Sequence, residues 1–163
     1  MTPRLKEWPA PYLQPDPHRD CHLYATAYVA RCLGKPDATA EAVRALFDSG
    51  KREEVYPERE TGAPMRAYWR EAGGYKNKVW WLGPHAERWV RFWLRRGWVG
   101  LAHIHRIPDM THCVALLEAD DDGVLIMDPI YGFKREPWAF FLGPGAGRHG
   151  LVHRIDAWYE VGA

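Results

Sequence analysis

The sequence predicts an α+β fold, with N-terminal helices packed on a C-terminal antiparallel sheet. Apolar residues recur at helical spacing through the first 95 residues or so, and the period then shortens toward two. Asp120-Asp121-Asp122-Gly123 is a hairpin signal between two of the later apolar runs. Helices first and a meander of strands second is the pattern of segregated α+β layers. The length of 163 residues suits one domain spanning 1–163, large enough for a real core.

Residues 1–20 contain Pro3, Pro9, Pro11, Pro15 and Pro17, which predicts an extended arm. Cys21 to Leu33 reads as a helix stopped by Gly34, with positions 21, 25, 28 and 32 on one buried stripe. A second helix is expected over Thr39 to Phe47, capped by Asp37 or Thr39, with Val43, Leu46 and Phe47 inward. Lys51 to Glu60 is charged and reads as a surface loop. A third helix is expected over Ala63 to Ala72 and a strand over Lys78 to Leu82.

The clearest amphipathic pattern follows. Ala86, Trp89, Val90, Trp93 and Leu94 form one face, opposite Glu87, Arg88, Arg91 and Arg95. Strands are expected over Val99–His105, His112–Ala119, Val124–Asp128, Phe133–Phe141 and Val152–Val161, with a glycine-rich loop at 143–147.

Composition narrows the function. An apolar fraction of 47%, with 9 Trp, 8 Tyr and 5 Phe, excludes a disordered chain. A net charge of +1 gives no electrostatic case for nucleic acid or an anionic membrane as partner. No apolar run has the length of a membrane span and the N-terminus carries no signal-peptide core. Three cysteines cannot all pair within one chain, so a reduced, cytoplasmic setting is expected. The single Ser, Ser49, lies in a turn-like Asp48-Ser49-Gly50, which argues against a serine nucleophile.

Cys21 opens the first helix, His112 opens a strand and Asp128 closes the next one. A thiol, an imidazole and a carboxylate in that order are the parts of a cysteine-nucleophile site. Only the thiolate attacks a carbonyl carbon, and a helix N-terminus with a nearby imidazolium favours it. A carboxylate on the other ring nitrogen fixes the tautomer and steadies the imidazolium. Cys32 and Cys113 fall in apolar runs and read as small core residues. His22 points off the Cys21 stripe and reads as unrelated to catalysis. His103 and His105 share one strand face, and they read as surface histidines rather than a metal pair. With no Cys-x-x-Cys or His-x-x-x-His spacing, no metal is expected, and no organic cofactor is implied.

This arrangement resembles papain-like cysteine peptidases, most closely the C39-like bacterial peptidase domains. The resemblance rests on Cys21 at a helix start, His112-Cys113-Val114, Asp122-Gly123-Val124 and Asp128-Pro129, and covers roughly residues 14–140. It implies a papain-like fold and cleavage of a peptide or isopeptide bond in a polypeptide or peptide-like amide, through a thioester. It also implies an oxyanion-hole Gln upstream of the nucleophile, and Gln14 is the sole Gln in the chain. The departure is Cys21-His22-Leu23, where the family has Cys-Gly-Pro or Cys-Gly-Ala. Asp20-Cys21 is also similar to the NlpC/P60 peptidases, which have a shorter Cys-to-His interval. An acyltransferase on the same triad, or a non-catalytic papain-like module binding a protein partner, are the alternative readings.

Overall fold

The computed structural model describes residues 7–17, 20–48, 86–107, 110–142 and 152–160. The helix expected at 63–72, the strand at 78–82 and the loops at 51–60 and 143–147 lie outside the described residues. Those described form an α+β architecture around an antiparallel sheet. Among them are α1 (Cys21–Cys32), α2 (Ala40–Asp48), α3 (Ala86–Arg95) and α4 (Trp138–Leu142). The strands are β1 (Trp98–Ile107), β2 (Met110–Ala119), β3 (Gly123–Asp128), β4 (Gly132–Pro137) and β5 (Val152–Glu160). The order across the sheet is β4-β3-β2-β1-β5, with every neighbouring pair antiparallel.

Strand alternation divides the core in two. Val99 and Leu101 of β1, Cys113, Ala115 and Leu117 of β2, and Met127 of β3 pack with Ala25, Tyr28 and Val29 of α1. Ala102, Ile104, Val114, Leu116, Val124 and Ile126 lie in the other cluster, with Val90 and Leu94 of α3 and Trp138 and Phe141 of α4. Successive strand residues face opposite ways, so one sequence supplies both layers. The N-terminal helices therefore cover only one face. The second face is covered by α3 and α4.

The predicted α1 stripe is present: Ala25 and Tyr28 are fully buried, and Cys21 and Cys32 pack partly buried against the same cluster. The helix ends as expected, with Gly34 at φ +92°, a conformation that costs glycine nothing. Thr39 caps α2, its Oγ1 accepting from Ala42 N at 3.1 Å. Val43 is buried, whereas the side chains of Leu46 and Phe47 are outside the described ones.

Two elements differ from expectation. The strand expected over Phe133–Phe141 stops at Pro137, paired with Gly123, and the chain turns into α4. Trp138 N donates to Asp122 O (3.2 Å) and its indole Nε1 to Asp120 O (2.9 Å), fixing the turn. Helical geometry then puts Trp138 and Phe141, three residues apart, into the core together. On α3, Trp89 is 56% exposed, although the periodicity placed it inward. Val90 and Leu94 take the buried line, Trp93 packs beside them, and Trp89 rests against Phe92 with centroids 5.8 Å apart. Arg91, expected outward, is half-buried: it bonds Glu87 and Asp120 O and lies 4.5 Å above the Trp138 ring.

The described part of the N-terminal arm, residues 7–17, forms neither helix nor strand and is strapped to the domain at several points. Trp8 Nε1 donates to Glu118 at the end of β2, and Tyr28 Oη donates to Pro9 O at 2.8 Å. Tyr12 accepts from Ala40 N at 3.1 Å and lies under the Arg31 guanidinium. Gln14 N donates to Pro129 O at 2.7 Å. Pro11 packs 3.6 Å from where a Cβ on Gly132 would sit; Gly132 itself turns at φ +81° to join β3 to β4. Among the described residues no helix is long and apolar enough to cross a membrane.

Candidate active site

The site is assembled where the N-terminus of α1 meets the β2 and β3 ends. Asp20 precedes the helix in the left-handed region, φ 68°, which Asp tolerates better than most side chains. Its carbonyl accepts from Leu23 N (2.9 Å) and Tyr24 N (3.1 Å) and so starts the helix. Its carboxylate makes no cap and bonds Arg44 of α2 instead, at 2.5 Å. Cys21 thus occupies the first helical position, where backbone N–H groups have no intrahelical acceptor and the positive end of the helix dipole lies.

The partners come from the sheet. Pairing of β2 with β3 runs in the register Ala115↔Met127. Continued by one residue it sets Asp128 opposite Val114, with His112 the diagonal neighbour on the same side of the sheet. The two side chains meet there, His112 Nε2 to Asp128 Oδ1 at 2.7 Å, both buried. The same Oδ1 accepts from Ile130 N at 2.8 Å, so the turn through Pro129 locks the carboxylate. Asp128 closes the strand and orients the ring at once.

With Nε2 given to Asp128, Nδ1 is the ring nitrogen left for the thiol, and the His112 ring lies close enough to the Cys21 sulfur to act on its titration. Cys113 N also donates to Cys21 Sγ, at 3.4 Å. Burial alone pushes the Cys21 thiol up. Hydrogen bonds from His112, His22 and Cys113 N–H, with the His112 charge, overcome it and bring the pKa down to about 5. Burial likewise pulls His112 down, but Asp128 and then Cys21 raise it to about 9. Burial raises Asp128, and the His112 ring with the N–H groups of Ile130 and Tyr131 holds it below the usual carboxylate range. Between pH 5 and 9 the three groups stand as thiolate, imidazolium and carboxylate.

Gln14 is buried next to this cluster by way of the main chain, since it is tied to the carbonyl of the residue following Asp128. Its Nε2 donates to Asp16 O at 2.6 Å, which engages one of its two N–H bonds. Among the described residues no group of three or more His, Cys, Asp or Glu side chains is placed to hold a metal ion.

One contributor was not legible in the sequence. Cys113 is a buried core residue by its side chain, as expected, but its backbone N–H donates to the Cys21 sulfur. His103, expected at the surface, is buried at 5% exposure beside Cys113 in the β1–β2 pairing, and the side chain of His105 lies outside the described ones. No protein-family model matches the chain, and no curated protein is significantly similar to it in sequence.

Proposed function

We propose that this protein is a papain-like cysteine hydrolase, a peptidase or amidase cleaving a peptide or isopeptide bond. The observation that carries the reading is the buried His112–Asp128 pair, bonded at 2.7 Å, set beside the Cys21 sulfur at the N-terminus of α1. A structural thiol in an apolar core is protonated and inert. This one sits at a helix N-terminus, with the Cys113 N–H on its sulfur and the His112 ring beside it.

The Cys21 thiolate attacks the substrate carbonyl carbon, forming the C–S bond as the carbonyl electron pair moves to oxygen. The Cys21 N–H, at the head of α1, and the Gln14 amide stabilise that oxyanion. Collapse breaks the C–N bond, and His112 gives its Nδ1 proton to the departing amine. The neutral ring then takes a proton from water, which attacks the thioester. The acid leaves, and Cys21 returns as thiolate beside a reprotonated imidazolium. Asp128 keeps Nε2 protonated throughout and steadies the imidazolium.

The test begins with thiol reactivity. At pH 6 Cys21 should alkylate with iodoacetamide far faster than Cys32 or Cys113, as read by peptide mapping. Incubation with a library of acyl-peptide amides should then give a thioester adduct at Cys21 that is lost in Cys21→Ala. Three equally slow thiols would remove the nucleophile, and with it the hydrolase.

A further inference from the structure

We infer that Cys113 is a resolving thiol for Cys21, so that oxidation by a hydroperoxide closes a Cys21–Cys113 disulfide and switches the site off. The inference names a regulation of the proposed cysteine-nucleophile site and rests on it.

None of the three cysteines is in a disulfide, and the hydrolytic scheme uses the side chain of Cys21 alone. Cys113 is fully buried on β2, directly after His112. Strand alternation turns its side chain into the cluster beneath α1, against which Cys21 also packs. Its backbone N–H donates to Cys21 Sγ at 3.4 Å. One N–Cα bond of about 1.5 Å follows that nitrogen, so the Cys21 sulfur is at most about 5 Å from the Cys113 Cα. The Cys113 thiol hangs from the same Cα into the same cluster. Joining the sulfurs from there takes rotation of two short side chains. Cys32 lies at the other end of the 12-residue α1, about 16 Å away along the helix and beyond the span of a disulfide.

The thiolate character that suits Cys21 to a carbonyl carbon suits it equally to a peroxide oxygen. Cys21 is half-buried and Cys113 fully buried, so the oxidant meets Cys21 first. The thiolate attacks one oxygen of hydrogen peroxide. An S–O bond forms, the O–O bond breaks and hydroxide leaves. The Cys113 sulfur then attacks the sulfur of that sulfenic acid. The S–S bond forms, the S–O bond breaks, and the departing hydroxide takes the Cys113 proton as water. The two sulfurs together lose the two electrons that the peroxide gains. No thiolate is then left to attack a substrate, and a dithiol restores it by exchange. The disulfide also shields Cys21 from further oxidation to the sulfinic acid, which dithiols do not reverse.

The experiment treats the full chain with hydrogen peroxide at pH 7 and maps its thiols by mass spectrometry without reduction. The parent should yield a linked Cys21–Cys113 peptide pair, formed at a rate independent of protein concentration, with Cys32 still open to iodoacetamide. Rapid alkylation of Cys21 should be lost on oxidation and recovered with dithiothreitol. In Cys113→Ala and Cys113→Val, each compared with its own alkylation before oxidant, most of the Cys21 should instead pass to the sulfinic acid and stay lost. Cys32→Ala should behave as the parent. Oxidation of Cys21 in the parent with no link to Cys113, or equal recovery without Cys113, overturns the resolving role and leaves the nucleophile standing. A Cys21 no faster than Cys32 toward both peroxide and iodoacetamide overturns the nucleophile reading and this inference with it.

Discussion

Two regions of the central sheet are built for different purposes, and the contrast is chemical. Beneath α3 and α4, Trp98, Trp138 and Trp158 pack among Leu, Ile and Val side chains. Trp93 stacks there on Trp158 with centroids 6.3 Å apart. At the α1 end the sheet buries His112 and Asp128 and half-buries Cys21. Apolar burial is non-directional and tolerates small displacements, so the first region supplies stability. Buried ionisable groups are tolerated only when paired in good geometry, so the second region depends on placement. Substitutions in the two regions should therefore separate loss of function from loss of fold.

The largest effects should come from the triad. Cys21→Ala and His112→Ala should each abolish turnover, and the double variant should be no worse, because the residues act as one unit. Asp128→Asn should retain residual activity, since the ring keeps a hydrogen-bond partner but loses the carboxylate charge. Thermal melts of the Cys21→Ala protein should stay near the parent's. Full activity in Cys21→Ala would place the chemistry elsewhere.

The reverse pattern is expected in the tryptophan cluster. Trp158 is 2% exposed and spans β5 to α3, with its ring against Gly100. Trp158→Ala should cost about 3–5 kcal/mol through lost burial and the cavity left behind. In the fraction that remains folded, Cys21 alkylation should be unchanged, read by denaturant melts and thiol mapping on the same sample. A selective loss of Cys21 reactivity would show that the two regions are coupled.

The regions also differed in how far the sequence exposed them. The meander was legible because period-two patterning and Asp120–Gly123 report local geometry; Asp120 Oδ1 indeed accepts from both Asp122 N and Gly123 N at 2.9 Å. The pairing of His112 with Asp128 followed from that hairpin. Trp138–Leu142 misled because a short apolar run suits either a strand or a helix turn, and the bonds of Trp138 to the distant Asp120–Asp122 turn fix which it is. Cys113 N–H left no trace, since a backbone donor has no residue identity to read. The anchoring of the arm to Glu118 and Pro129 depends on distant partners, and a Pro-rich composition shows only that the arm is extended.

The pH profile sharpens the polar region further. Cys21 lies at about 5 and His112 at about 9, so kcat/KM should form a plateau between those values. Below about 5 the thiolate is protonated and the nucleophile lost; above about 9 the imidazolium loses the proton it gives to the amine. His112→Ala removes both the ring hydrogen bond and its positive charge, so the Cys21 alkylation midpoint should move up. An acid limb near the ordinary thiol value in the parent would contradict the ion pair.

A smaller catalytic effect is expected at Gln14. If its amide donates to the oxyanion, Gln14→Ala should lower kcat by on the order of 10²-fold with KM nearly unchanged. The bond to Asp16 O gives a control, because Gln14→Glu keeps the shape and the backbone tie to Pro129 but removes the donors. Both variants should fall together. An unaltered kcat in both would leave the oxyanion to the N–H groups of α1 and make the arm a strap alone.

The smallest effect tests whether the corner beside the nucleophile is held by charge or by backbone shape. Asp20 is the one non-glycine residue at positive φ among those described, and its ion pair with Arg44 is largely solvent-exposed. Exposed pairs contribute about 0–1 kcal/mol, and the left-handed conformation of a non-glycine residue costs a similar amount. Asp20→Gly loses the first and relieves the second, so its stability should stay within about 0.5 kcal/mol of the parent. Asp20→Ala loses the pair and keeps the strain, so it should fall below Asp20→Gly by about 1 kcal/mol. Cys21 reactivity should be the same in Asp20→Gly as in the parent, because the carbonyl of residue 20, which accepts from Leu23 and Tyr24, is present in both. A slower Cys21 in Asp20→Gly would show that the carboxylate, and not the turn it sits on, sets the nucleophile.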